Sequence, residues 1–155
     1  MFLSALLSSL PVSFEEAVRC VTGMGFAHVD VVALAERPAA HREALADSGL
    51  IVSCGGIGKG LPDEMSLDAP SVESRRAALE QIKLQIADAA RLGATHAYLT
   101  AGLDGSADGL QRFAEGCALL ADYAAGRMVR LCVEPIPGRA LPSAASVLDL
   151  LDELQ

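Results

Sequence analysis

The sequence predicts an α/β fold: a parallel (β/α) barrel of TIM type, present in part, with about five of eight βα units. Three observations lead there. Short runs rich in Val, Leu and Ile alternate with longer segments of helical spacing along all 155 residues. Strands alternating with helices imply a parallel sheet with right-handed crossovers. The strand-like runs are also two-faced. Val29, Val31 and Ala33 alternate with His28, Asp30 and Val32; Ala97, Leu99 and Ala101 with His96, Tyr98 and Thr100; Val129, Leu131 and Val133 with Arg130, Cys132 and Glu134. An open sheet covered on both faces makes its central strands apolar on both sides. A barrel strand shows one face to its helices and the other to a lumen whose upper end holds the active site. Parity therefore favours the barrel. A flavodoxin-like open doubly wound sheet is the alternative, fitting the strand count and length equally well; the lack of a recognisable phosphate-binding loop after "SALLSSLP" argues against it.

The elements follow in order. The first strand-like run covers residues 2–10. Ser13 then caps a helix with Glu16 three positions on, a capping box, and the stripe Phe14, Ala17, Val18, Val21 runs to a stop at Gly23 and Gly25. The run "HVDVVAL" leads to a helix over about 38–48 that ends at Gly49. The run "LIVSCGGIG" opens into a Gly-rich loop and the acidic stretch "KGLPDEMSLDAPS", read as a solvated turn around residues 63–65. The longest helix spans about 71–92, with Leu79, Ile82, Ile86 and Ala90 on one stripe and Gly93 as its stop. After "THAYLTAG" comes a helix over about 107–125 ended by Gly126, then "VRLCVEPI", then a last helix over 143–154. The Met and Leu positions of the helices read as core.

Composition bounds the function. At 155 residues, with 52% hydrophobic and 21% charged residues, the chain suits one well-buried domain, expected over 1–155 and ending after the fifth βα unit. Twelve Lys and Arg against 20 Asp and Glu give a net charge of −8, and no basic run offers itself to a phosphate backbone. Nucleic acid is a poor partner on those grounds. The four cysteines include no C-x-x-C pair and point to reduced, buried thiols. "MFLSALLSSLP" lacks a basic residue before its apolar run, so no targeting signal and no membrane span are expected, and the location is read as cytoplasmic.

One residue demands an explanation. Glu134 closes the apolar run "VRLCV" and is followed at once by Pro135, Pro137 and Pro142. Burying an unpaired carboxylate costs several kcal/mol, so it is solvated, paired or bound to something. A salt bridge to Arg130 or His96 is the structural alternative to a ligand role. Asp30 shares the polar parity near the end of its strand, where a structural hydrogen bond would account for it. "SCGGIGKG" fails the G-x-x-x-x-G-K-[ST] pattern, because Ser53 stands where the first Gly belongs and Gly60 follows Lys59. Lys59 still lies in a loop on the active face, where it is placed to meet an anionic substrate. His28 and His96 fall at strand starts, away from the chemistry, and His41 reads as surface.

The segments "SFEEAVRCVTGMGFAHVDV", "HREALADSGLIVS", "RRAALEQIKLQIADAARLGATHAYLTAG" and "FAEGCALLADYAAGRMVRLCVEPIPG" resemble, in order, the first five βα units of the sugar phosphate isomerase/epimerase family, within the xylose-isomerase-like TIM barrel superfamily. The resemblance implies a metal-dependent isomerase or epimerase of a small sugar, sugar phosphate or keto-sugar, working by enediolate proton transfer. It matches Glu134 to a ligand of a divalent metal (Mn, Mg, Co or Zn) that also serves as acid or base, and Asp30 to a position where members often carry an acidic residue lining the lumen, which makes Asp30 a candidate for substrate contact. Family members complete that site with an acidic residue, a His and a second Glu from strands six to eight, positions beyond this sequence. The alternative expectation is a non-catalytic partial barrel without metal, acting as a binding module or self-associating through exposed strand edges.

Overall fold

A computed structural model of the chain describes residues 2–62 and 64–152. Five strands, β1 (Ser4–Leu6), β2 (His28–Val32), β3 (Ile51–Gly56), β4 (His96–Thr100) and β5 (Arg130–Glu134), form one sheet in the order β1-β2-β3-β4-β5. Every neighbouring pair is parallel. This order is that of a singly wound barrel wall. The flavodoxin-like alternative requires the first strand to lie between others, and β1 is at the edge, so that reading is corrected. A 3-10 turn at Leu7–Ser9 follows β1, and five helices return the chain: α1 (Phe14–Gly23), α2 (Ala39–Ser48), α3 (Val72–Arg91), α4 (Ala107–Ala125) and α5 (Ala144–Asp152). The expected extension of the last helix to 154 and the Asp63 position of the acidic turn lie outside the described residues.

The helix boundaries come from side-chain caps. Ser13, Ser71, Ser106 and Ser143 each accept a backbone N–H three residues on, from Glu16, Ser74, Gly109 and Ser146, at 3.1 to 3.3 Å. The capping box at Ser13 is present as that half alone among the described residues. At the other ends Gly25, Gly49 and Gly93 take left-handed conformations that glycine adopts freely. Gly126 does not; the left-handed residue after α4 is Met128, at φ 58° and almost fully exposed. Methionine is likewise not core material at Met24, which is also exposed.

Packing follows the parity. Val29, Val31, Ala33, Ala97, Leu99 and Ala101 are at most 2% exposed, sealed under α1, α3 and α4 by Val18, Val21, Ile82, Ile86, Phe113 and Leu120. Gly55 lets α3 approach β3: a Cβ there would stand 2.7 Å from the Cβ of Ala89. The opposite face of the sheet is concave and carries the partly exposed polar row. A register shift between Val29 and Asp30 against Val52 and Cys54 sets Ser53 apart from the ladder, where its Oγ lies 2.9 Å from His28 Nδ1. His41, expected at the surface, is only partly exposed, stacked on Phe14 at 4.2 Å between ring centroids.

The segment after β2 is anchored by a buried ion pair. Arg37 and Asp88 are 4% and 2% exposed. Arg37 donates through Nε and Nη2 to the Asp88 carboxylate at 2.8 to 3.1 Å, and through Nη2 to the Val32 carbonyl at 2.8 Å. Asp88 Oδ2 also accepts the Leu34 N–H at 3.0 Å. One α3 carboxylate thus fixes both the end of β2 and the chain that leaves it. Removing one partner strands the other charge in the core, so Asp88→Ala is expected to cost about 3–5 kcal/mol. Urea unfolding monitored by circular dichroism measures it; a loss below 1 kcal/mol would show that the pair is not structurally important.

Candidate functional site

The C-terminal ends of the strands build a shallow concavity of about 350 Å³, lined by Leu6, Asp30, Tyr98, Cys132, Val133 and Glu134. Parity places all of them but Val133: Leu6 pairs with Asp30, Tyr98 with Cys132 and Thr100 with Glu134, and paired residues of a parallel sheet share a face. Asp30 and Glu134, 104 positions apart in the sequence, therefore open onto one space.

Glu134 is exposed and, among the described residues, makes no hydrogen bond or ion pair. The salt bridge to Arg130 is absent for a geometric reason. Four strand residues separate the two by roughly 13 Å at about 3.3 Å of rise each, beyond the reach of an ion pair. His96, paired with Arg130, sits at that same far end, its Nδ1 2.9 Å from Thr95 Oγ1. His28 stacks on Phe2 at 3.9 Å, again at the strand starts. Both histidines are thus away from the concavity, as the sequence predicts. Asp30 does have a structural partner, the Ser4 hydroxyl, which donates to Oδ1 at 2.9 Å. That bond leaves Oδ2 as the free acceptor of the pair.

Tyr98 is the residue that sequence reasoning passed over. Its hydroxyl lies across β3 where Gly56 has no side chain; a Cβ on Gly56 would stand 2.9 Å from it. Burial raises the Tyr98 phenol above its usual pKa, and the charges of Glu134 and Asp30 add to the shift, so the group is a neutral donor at physiological pH. Lys59 follows the same gap. Its Nζ sits 5.4 Å from the centre of the Tyr98 ring. The loop that carries it is gripped by the buried side chain of Gln85, which accepts the Gly58 N–H at 2.7 Å and donates to the Lys59 carbonyl at 2.9 Å. Gly58 and Gly60 flank the lysine with left-handed backbones, near φ 70°. The structure thus brings Lys59 to the rim of the concavity that Asp30 and Glu134 line.

The thiols differ from expectation. All four are free, but only Cys117 is buried; Cys54 and Cys132 are partly exposed on the concave face. Burial pushes Cys54 up to about 12, helped by the negative charges of Asp30 and Glu134. A divalent cation needs roughly three or more protein donors. Among the described residues no three His, Cys, Asp or Glu side chains converge to hold one. Glu134 furnishes one accessible carboxylate and no complete site. No helix of the described residues is long and apolar enough to cross a membrane.

A family profile described as xylose isomerase-like TIM barrel matches residues 16–155. No curated protein matches the sequence. Among solved structures, D-psicose 3-epimerase in the presence of D-fructose superposes with a TM-score of 0.82 at 21% identity, covering 99% of this chain and 60% of that one. An AP endonuclease of family 2 from Brucella melitensis gives 0.79 at 20%, covering 100% and 65%. A xylose isomerase-like TIM barrel protein from Mycobacterium smegmatis in complex with magnesium gives 0.72 at 17%, covering 99% and 61%. At these identities the likeness is one of fold, and the chain spans less than two thirds of the length of each.

The raised thiol pKa values predict the reactivity of Cys54 on the concave face and of Cys117 in α4. Cys54 and Cys117, both near 12, hold on the order of one thiolate in three thousand at pH 8.5. Iodoacetamide at that pH should leave both unmodified in the native protein, with labelling rising about tenfold per pH unit as the thiolate fraction grows. Mass spectrometry of peptides after timed alkylation reads this directly, and fast labelling of Cys54 at pH 7 would contradict the described surroundings.

Proposed function

Because the chain belongs to the xylose isomerase-like TIM barrel family, we propose that it carries the first part of a divalent-metal-dependent isomerase or epimerase site for a small sugar or keto-sugar. The observation that carries the proposal is Glu134: a solvent-accessible carboxylate without a protein partner among the described residues, closing β5 and facing the same concavity as Asp30.

The chain's own groups have distinct parts in that reading. Glu134 supplies one metal ligand and is the carboxylate that takes up or returns the proton on the carbon beside the substrate carbonyl. That step breaks a C–H bond, forms a carboxyl O–H and leaves an enediolate, which reprotonation resolves into the isomer or epimer. A bound divalent cation would neutralise charge developing on the substrate oxygens. The described residues do not by themselves complete a site for that cation. Asp30 accepts a substrate hydroxyl through its free oxygen, Tyr98 donates from its neutral phenol, and Lys59 supplies positive charge at the rim. Closing off water around such groups raises their effect. We place the protein in the cytoplasm, consistent with its free thiols.

A second reading is favoured by the sheet itself. β1 and β5 each pair with one strand only among the described residues, leaving ladder groups open to another chain. On that reading the chain is a non-catalytic module that self-associates.

The test is deuterium exchange at the carbon next to the carbonyl of a keto-sugar, followed by NMR. Exchange should require added Mn²⁺ or Mg²⁺ and fall at least about a hundredfold in Glu134→Gln, the range typical of losing a positioned acid or base. Exchange that the substitution leaves untouched would sink the assignment of Glu134. A complete lack of exchange, together with a concentration-dependent mass in sedimentation, would favour the module.

A further inference from the structure

A second cavity, of about 440 Å³, lies at the segments that leave β3 and β4. Its polar lining is Lys59, Ser66, Asp68, Thr100 and Arg139, over a floor that includes Ile82, Leu99 and Phe113. Thr100 of this cavity pairs in register with Glu134 of the concavity. Lys59 lines this cavity, with its stem along Gly56 and its ammonium by Tyr98 of the concavity.

Three features make this more than a crevice between loops. The cations are unpaired: neither Lys59 nor Arg139 enters an ion pair among the described residues. Both loops that carry them are braced, the first by the buried Gln85. In the second, Arg139 N–H bonds the Ile136 carbonyl and Ala140 N–H bonds the Gly102 carbonyl, each at 3.0 Å. The third feature is Asp68, a carboxylate only 5% exposed whose sole hydrogen bond to the carboxylate among the described residues is a long one, 3.4 Å from the Asp104 N–H to Oδ2. It lies against Gly102, where a Cβ would fall within 2.6 Å of its carboxyl atoms. A buried carboxylate has about four acceptor positions to satisfy and costs free energy while they stay empty. The neighbouring guanidinium of Arg112 does not fill them, because it is spent on the Asp68 carbonyl and on Asp104 Oδ2, both at 2.8 Å.

We infer that this cavity is the subsite for the far end of the substrate, with Asp68 accepting hydrogen bonds from sugar hydroxyls and Lys59 and Arg139 clamping a terminal anionic group. The inference rests on the proposed function for the position of the reacting carbon, at Glu134. It narrows the substrate class to a sugar of several carbons ending in phosphate or carboxylate, and away from a neutral sugar. The chemistry is that of a charge-assisted clamp, whose strength depends on the cations having no protein anion to satisfy first. The overall charge of −8 works against adventitious anion binding elsewhere.

Calorimetric titration of the full chain with D-fructose, D-fructose 6-phosphate and D-glucuronate tests it. At least one anionic sugar should bind about tenfold or more tightly than D-fructose, a difference that shrinks as salt is raised. That preference should be lost in Lys59→Met and in Arg139→Met, both on exposed loops, and survive in Glu134→Gln. Asp68→Asn should weaken all three sugars. Equal binding of the neutral and anionic sugars, or a preference that persists in the doubly substituted Lys59→Met, Arg139→Met protein, overturns the inference. Failure of the Glu134 reading looks different, because the anion preference would then remain while proton exchange ignores Glu134→Gln.

Discussion

Covering a parallel sheet with helices on one face alone leaves the other face wet, and each strand has to sort its side chains by parity. That constraint governs the rest of this molecule. Residues such as Val29, Val31, Ala97 and Leu99 are driven against α1, α3 and α4 with essentially no exposed surface. Their neighbours one position along then have no choice but to line the concave side, where Asp30, Tyr98, Cys132 and Glu134 collect. A shift of one residue in any strand would bury the carboxylates and expose the valines. The polar concavity is the unavoidable complement of the core.

Much of this was legible because it is local or periodic. Serine caps, stop glycines and two-residue alternation act within a few positions, so the strand and helix runs, and the shared face of Asp30 and Glu134, could be read directly. Sequential strand order was not legible in the same sense: five βα units suit an open sheet as well, and parity with the family resemblance decided between them. What escaped notice depends on contacts between distant segments. The gap at Gly56 matters only because Tyr98 of the next strand fills it. Gln85 looks like any polar residue on a helix, yet it holds the loop of Lys59. Asp68 sits in a stretch that composition alone describes as acidic and solvated, whereas it is buried against Gly102.

The buried polar groups share a purpose that apolar packing could not serve. Arg37 and Asp88 hold the exit of β2, Gln85 the exit of β3, and Asp68 with Arg112 the exit of β4. All three lie at the C-terminal ends of the strands, where the chain must leave the sheet in an irregular path and its backbone groups lose their ladder partners. Side chains from α3, from the loop before it and from α4 replace those partners. Each also fixes the position of a loop at the rim. The same hydrogen bonds that make the loops affordable therefore make them stiff, and a stiff rim is what orients a group such as Lys59 before any ligand arrives.

The carboxylate at the end of β5 shows where the balance of forces ends. A strand whose last residue faced the helix layer could not finish on a charge, since no partner there would offset desolvation. Glu134 has the opposite parity, so it meets water and the side chains of its row, and Pro135 and Pro137 take the chain away before a further residue can cover it. Solvation alone explains why the carboxylate is tolerated. It does not explain the company it has: Asp30 on the same concavity, a phenol held neutral by burial and by both charges, and Lys59 brought over that phenol by a loop held from inside the core. Like charges facing one space repel, and of the two only Asp30 gains a bond within the fold, from the Ser4 hydroxyl. In the proposed function, a cation or the hydroxyls of a substrate would sit between them.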